Sequence, residues 1–415
     1  MLRIRLEEDE CVNIEGCAEV RILDGRGEIF GAPVERGKSI RVPYAKAIPY
    51  YALSTSELEI EGGRISSIPG YYVPRQWEVA VGEIATRRKP VKIMIVGDID
   101  SGKSTLTTYI ANKLFSMGFK VAVVDSDVGQ SNIGPPCTIG LGIMRNHIIS
   151  LEEIPLIDAY FLGSNTPAGL FHKMITGVVM MMREALRHNA DVVLVDTTGW
   201  IKDEQGMILK INKAKAIEPD LVIVLEEEYS MLAHFVKVVS EITDVLRLPR
   251  GFVRPRNRNE RKKIRQNAYR RYMRGGKKIS VSLKSVKILE GSILTGIIHV
   301  IKQGKFKIYY EVSGNSVRVY AANRLNKEMW NMIKGKHSNV LNANVLNKEN
   351  IRNLLIGIYN GDKRFMGIGI LQDVDFDDKK IEIYTPVDPK YIKYLEVGRI
   401  KISPVTLTEI GRCIL

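Results

Sequence analysis

Four short segments hold the side chains whose types and spacing could do chemistry. The first, Gly97-Asp98-Ile99-Asp100-Ser101-Gly102-Lys103-Ser104, matches GxxxxGK[ST] between the apolar run KIMIV and the helix-compatible LTTYIANKLF. A strand before and a helix after are the context in which this pattern binds phosphate. The glycines let backbone N–H groups converge on phosphate oxygens, and the helix points its positive end at them. Lys103 is placed to reach the β and γ phosphates and Ser104 to ligate Mg²⁺. Gly97, Asp98, Ile99, Asp100, Ser101, Gly102, Lys103, Ser104 and Thr105 are therefore candidate nucleotide contacts. Guanine is usually read by an NKxD segment, and Asn212-Lys213-Ala214-Lys215 lacks the aspartate, which points to ATP. Asp98 stands where the partition and nitrogenase type of loop carries an extra lysine, which disfavours that subfamily.

The second and third segments end apolar runs. Asp125-Ser126-Asp127-Val128-Gly129-Gln130 follows VAVV, and Asp196-Thr197-Thr198-Gly199-Trp200 follows VVLV. Ligands of open parallel sheets bind beyond the carboxyl ends of the strands, so Asp125, Asp127 and Asp196 are expected to face the glycine loop. There a carboxylate takes a proton or holds Mg²⁺, and Ser104, Asp127 and Asp196 are the candidate metal ligands. An aspartate at a strand end can also simply cap the next turn. Trp200 is either a core residue or an indole that stacks a nucleobase.

The fourth segment is basic. Arg250 to Lys278 holds 13 Lys or Arg against one acid, Glu260, a local charge of +12 in a chain whose net charge is +14. Helical spacing runs from about 259 to 274. A charge run is commonly a solvated face. This one lies between two folded regions, where arginines could close over a triphosphate or hold a nucleic-acid backbone.

The surrounding elements must position these groups. At 415 residues, 45% hydrophobic and 26% charged, the chain is a folded protein of several domains, and disordered, collagenous and disulfide-scaffold classes are excluded. It has no apolar run of transmembrane length, and its start, MLRIRLEEDE, is unlike a signal peptide. The expected location is cytoplasmic, with no membrane partner. Cys11, Cys17, Cys137 and Cys413 form no CxxC and read as reduced thiols, not metal ligands. Short apolar runs with Gly and Pro punctuation predict a β-rich domain over 1–75, and SSIPGYYVPRQWEVAVGEIATRRKP reads as a linker. From Val91, apolar runs alternate with helices near 103–117, 172–188 and 204–216, which predicts a mostly parallel sheet. Past Lys278 strand patterns return, with a helical insert around 323–336. The expected fold is α/β, a P-loop parallel-sheet core over 76–285 that includes the basic segment, flanked by β-rich N-terminal and C-terminal (286–415) domains.

In layout and motif order the chain resembles the polynucleotide 5′-hydroxyl kinases related to the kinase subunit of pre-mRNA cleavage and pre-tRNA splicing complexes and to a ribosomal-RNA-processing kinase. The specific pieces are the P-loop, DxDVGQ, GSNTP and DTTGW, in that order. The resemblance implies that Lys103 and Ser104 hold ATP and Mg²⁺, and that Asp127 is the base near the 5′-hydroxyl, with Gln130 beside it on the substrate side. Ser164, Asn165, Thr166 and Pro167 resemble a substrate clasp centred on Thr166, and Trp200 resembles a tryptophan packed on a terminal base. Arg256, Arg261 and Arg265 are similar in spacing to the arginines of a lid. The clasp match ends at Pro167, and the lid is more basic than its pattern requires. The implied activity is ATP-dependent transfer of the γ-phosphoryl group to the 5′-hydroxyl of RNA, with DNA a further acceptor and a nuclease or ligase as partner. Two other readings remain open: an ATP-bound, non-catalytic scaffold of an RNA-processing complex, and a nucleic-acid-stimulated NTPase.

Overall fold

A computed structural model describes residues 1–415 apart from 227–231, 252, 291–292, 304–305, 322–326 and 414–415. The chain divides into two compact units, Met1–Leu162 with Thr166–Arg265, and Gly163–Asn165 with Gln266–Leu415.

The first unit begins with a seven-stranded antiparallel sheet built on the long strands Cys11–Asp24 and Ser56–Ile68. Ala18, Val20 and Ile22 are buried while Cys17, Glu19 and Arg21 between them are exposed, the period-two alternation of a sheet covered on one face. The expected linker is instead a helix, α1 (Arg75–Thr86). Its Trp77, Ala80, Val81 and Ile84 recur at helical spacing and are all buried, a periodicity that the flanking Pro and Gly residues obscure in the sequence.

The nucleotide-loop region is a second seven-stranded sheet. The strands Val121–Ser126, Val192–Thr197, Val91–Gly97, Leu221–Leu225 and Asp244–Leu248 lie side by side and parallel. The strands Thr138–Ile143 and Leu156–Phe161 add an antiparallel edge, within a stretch whose glycines and prolines suit a loop in composition. Helices α2 (Lys103–Ser116), α3 (Phe171–Arg187), α4 (Glu204–Ile217) and α5 (Ala233–Val239) connect the strands. Alternate strand residues feed two cores. Ile93, Ile95, Val121 and Val123 join α1, α2 and the N-terminal sheet in one apolar cluster. Met94, Val96, Val124 and Val195 pack on α3, α4 and α5. Buried Asn112 of α2 donates to the carbonyls of Phe30 (2.8 Å) and Ile148 (2.7 Å), which ties the N-terminal sheet to the core within this unit. Registry sets the functional ends level, because Asp196 lies opposite Asp125 and Leu225 opposite Gly97.

Helix α6 (Arg258–Tyr272) spans the basic segment and crosses the boundary between units. The second unit holds a seven-stranded mixed sheet and a four-stranded sheet carrying α7 (Lys327–Lys336). Buried Ile333 of α7 packs with Ile301, Tyr310 and Val319. The start of the expected helical insert lies outside the described residues. Among the described residues no helix is long and apolar enough to cross a membrane.

Candidate active site

Gly97 to Ser104 turns from the strand Val91–Gly97 into α2. Gly102 is the residue before α2 and adopts φ +95°, and a Cβ there would stand 2.7 Å from Val253 Cγ2. Only glycine meets both the left-handed backbone and the close approach of the lid segment. Lys103 is buried and its Nζ donates to the Asp98 carbonyl at 2.6 Å. Burial pushes its pKa down, against the pull of Asp196, Asp127, Asp98 and Asp100.

Ser104 Oγ donates to Asp196 Oδ2 at 2.6 Å, while Asp196 Oδ1 is buried with no hydrogen-bond partner among the described residues. Burial raises the Asp196 pKa to about 6; Asp127 adds to this, and Ser104 and Lys103 oppose it. A hydroxyl and an orphaned carboxylate oxygen at the loop fit Mg²⁺, which binds through one or two carboxylates and keeps its other positions for water and phosphate. Among the described residues there is no cluster of three or more His, Cys, Asp or Glu that would hold a metal by protein groups alone.

The Asp125–Gln130 segment splits into two roles. Asp125 is fully buried; its Oδ1 accepts from Asp127 N–H (3.0 Å) and its Oδ2 from the N–H groups of Asn132 (2.5 Å) and Ile133 (2.9 Å). Three local N–H donors satisfy it, so it organises the loop's backbone. Asp127 is half-buried, and its Oδ1 accepts from Gly129 N–H (3.1 Å) and Gln130 N–H (3.2 Å). Among the described residues no hydrogen bond falls on Oδ2. Its charge acts on Lys103, Asp196, Lys210 and Lys213, which places it among them. Gln130 donates to the Gly129 carbonyl, and its Oε1 is buried without a partner among the described residues.

The basic segment comes to the same loop. Arg261 donates to Asp100 Oδ2 at 2.6 Å, and the Arg256 N–H reaches the same oxygen at 3.2 Å. Arg256 Nε also donates to the Ala45 carbonyl of the N-terminal sheet at 3.2 Å, and burial lowers its pKa. Arg265 donates to the Gly129 carbonyl at 3.4 Å. Lys202 pairs with Asp98 at 2.7 Å. The sole acid of the segment, Glu260, pairs with Arg254 at 2.7 Å. The structure thus brings Arg256, Arg261 and Arg265 to the phosphate loop and the Asp127–Gly129 turn.

Trp200 is half-buried, tilted against Phe171 at 5.7 Å, with its Nε1 donating to Asp203 Oδ2 at 2.5 Å. The preceding Gly199 lies against the glycine loop, where a Cβ would meet Ile99 Cα at 2.6 Å. Thr166 sits before α3 and its Oγ1 accepts from Ala168 N–H at 3.4 Å. Its neighbours Gly163–Asn165 group with the second unit, where Asn165 donates to Glu409 (3.0 Å) and accepts from Arg412 (2.5 Å).

Sequence reasoning missed two lysines. Lys210 and Lys213 of α4 are fully buried. Lys210 Nζ donates to the Thr198 carbonyl (2.6 Å) and hydroxyl (2.9 Å), and Lys213 Nζ to Ser126 Oγ (3.0 Å). Burial pushes both pKa values down, that of Lys213 to about 7. The signal was present: Gly206, Lys210, Lys213 and Ile217 share one helical face, so two lysines stand in a core stripe.

Comparison with known proteins places this site in context. Residues 97–275 match the family model of the P-loop of the mRNA cleavage and polyadenylation factor CLP1. The polyribonucleotide 5′-hydroxyl-kinase of Pyrococcus furiosus is 35% identical over 341 residues, covering 80% of this chain and 93% of the relative. The protein of that name in Methanocaldococcus jannaschii is 33% identical over 343 residues, covering 80% and 92%. The solved structure of the wild-type Clp1p–Pcf11p complex is 12% identical with a TM-score of 0.68, covers 96% of this chain and 97% of that one, and so shares the fold.

Proposed function

We propose that this chain, which belongs to the polyribonucleotide 5′-hydroxyl-kinase family with a CLP1-type P-loop, transfers the γ-phosphoryl group of ATP to the 5′-hydroxyl end of RNA. The observation that carries this reading is the meeting of the basic segment and the loop: the Arg261 guanidinium and the Arg256 main-chain N–H both bond Asp100, beside a Lys103, Ser104, Asp196 and Asp127 cluster. A carboxylate beside the loop in addition to Asp196 can orient an acceptor hydroxyl and take its proton.

Phosphoryl transfer asks mainly for alignment and charge stabilisation. Lys103 and the loop N–H groups hold the triphosphate. Ser104 and Asp196 would hold Mg²⁺, which would supply positive charge to offset the negative charge of the phosphate oxygens. Asp127 orients the 5′-hydroxyl and takes its proton, with Gln130 beside it. Arg256, Arg261 and Arg265 exchange their protein acceptors for the oxygens of the transferring group and exclude water. Trp200 and Thr166 hold the terminal nucleotide. The enzyme works inside the cell, and its partner is an enzyme that makes or consumes RNA ends, a nuclease or a ligase.

Purified protein incubated with γ-labelled ATP and matched 5′-hydroxyl oligoribonucleotides and oligodeoxynucleotides tests the reading. Label on the oligoribonucleotide is expected. Retained ATP with no label would make the chain a scaffold, and free phosphate in place of label would make it a nucleic-acid-stimulated ATPase.

A further inference from the structure

Two fully buried lysines have no place in the mechanism above, and burying an ammonium is costly unless it is well partnered. Both lie on the face of α4 that meets the carboxyl ends of the sheet. Lys213 Nζ donates to Ser126 Oγ at 3.0 Å, and Ser126 Oγ donates on to the main-chain oxygen of Asp196 at 2.7 Å. Ser126 immediately precedes Asp127 and stands in register with Thr197, next to Asp196. The Ser126 bond therefore joins the strand end that leads to Asp127 to the one carrying Asp196, and the Lys213 bond ties that junction to α4. Lys210 grips the following turn through Thr198, two residues before Trp200.

We propose that Lys213 is a positioning residue for phosphoryl transfer, acting through Ser126 to fix the spacing between Asp127 and Asp196. The proposal rests on the kinase reading above. A lysine Nζ donates a hydrogen bond in either protonation state, so the tie persists whether or not the group is charged. Phosphoryl transfer depends on that spacing, because a reacting group displaced by about 1 Å costs about 10²-fold in rate. Among the described residues Lys213 itself makes no hydrogen bond to the glycine loop or to α2, so its loss is expected to bear on kcat more than on KM for ATP.

The test uses the full-length protein with Lys213→Met, which keeps the length of the side chain and removes the donor, with Ser126→Ala, and with both. Initial rates on a 5′-hydroxyl oligoribonucleotide are measured over a range of ATP, alongside thermal unfolding. Lys213→Met is expected to lower kcat about 10²-fold while KM for ATP stays within about threefold. Ser126→Ala is expected to lower kcat about tenfold, and the double variant to be no worse than Lys213→Met alone, as for two links of one chain. Unchanged kcat in Lys213→Met overturns the proposal, as do losses that multiply in the double variant or a KM for ATP that rises in step with the fall in kcat. Should Lys213→Met fail to fold, Ser126→Ala decides, and a parental kcat there overturns it. A parent protein that labels no RNA end would instead count against the kinase reading.

Discussion

Helices α4 and α6 both bring cations to the carboxyl ends of the sheet, and they do so in opposite ways. On α6 the groups proposed to act on phosphate are arginines, and Arg261 has water access: the side chains of Arg261 and its partner Asp100 are 27% and 26% exposed. On α4 the cations are lysines with none, bonded to hydroxyls and a carbonyl, not to carboxylates. A planar guanidinium resting on a half-exposed carboxylate exchanges it for phosphate oxygens at little cost, since both are anionic acceptors of matching geometry. A buried ammonium bonded to neutral groups has nothing to exchange. On the proposed mechanism, the contrast separates cations that act on the transferring group from cations that hold the frame around it.

The lid side of that contrast should give the largest effect. Arg261→Ala is expected to lower kcat by about 10³-fold or more, in the range of an arginine that stabilises phosphoryl transfer. Arg261→Lys should recover little, because a point charge does not replace a bidentate fork. A steady-state assay of 5′-end phosphorylation reads both, and near-parental turnover in either would place Arg261 among the frame-holding cations. Asp127, whose charge acts on the lysines of both the loop and α4, comes next. Asp127→Asn should lower turnover by about 10² to 10⁴-fold with little change in KM for ATP, the loss of a positioned base. Equal losses in both would mean that it chiefly binds metal or supports the loop.

Asp100 sharpens the comparison from the other side. If it only receives the arginines until phosphate does, Asp100→Asn should change kcat by no more than about fivefold, equivalent to the roughly 1 kcal/mol of a half-exposed ion pair. A loss comparable with that of Arg261→Ala would instead make the Asp100 contact part of the closed, reacting arrangement.

The reading from sequence divides along the same line. The basic segment and the glycine loop were legible because their chemistry is contiguous: a charge run, or glycines and a lysine at fixed spacing between a strand and a helix. Asp127 and Asp196 were legible as strand ends. The orientation of Asp125 was not, because it is set by N–H groups of Asn132 and Ile133, which reach it only after the chain turns back. The α1 helix was hidden by the Pro and Gly residues before it, and the antiparallel edge by the glycines of Thr138–Ile143, which mimic a loop in composition. Lys213 was noticed only as part of an incomplete guanine-reading motif. Its partner Ser126 lies 87 residues away, so only the closed sheet reveals what it holds.

The smallest effect distinguishes the two helices by linkage with pH. Lys213 is pushed down to about 7 in the folded protein, while the unfolded chain should bind that proton up to the ordinary lysine value of 10.5. Between those values the unfolded state carries more protons than the native state, so this lysine makes stability rise with pH through that window. Below about 7 both states are protonated and the burial penalty is felt in full. Asp196, raised to about 6, contributes with the opposite sign but at lower pH, where stability falls as pH rises from the carboxylate range towards 6. The difference between parent and Lys213→Met therefore isolates the lysine above neutrality. Urea midpoints taken from about pH 7 to about pH 9 should climb more steeply for the parent than for Lys213→Met, whereas Arg261→Ala should track the parent, since an arginine keeps its proton throughout. Parallel slopes for parent and Lys213→Met would mean that α4 carries its lysine charged and paired, and the distinction between the two helices would then be one of burial alone.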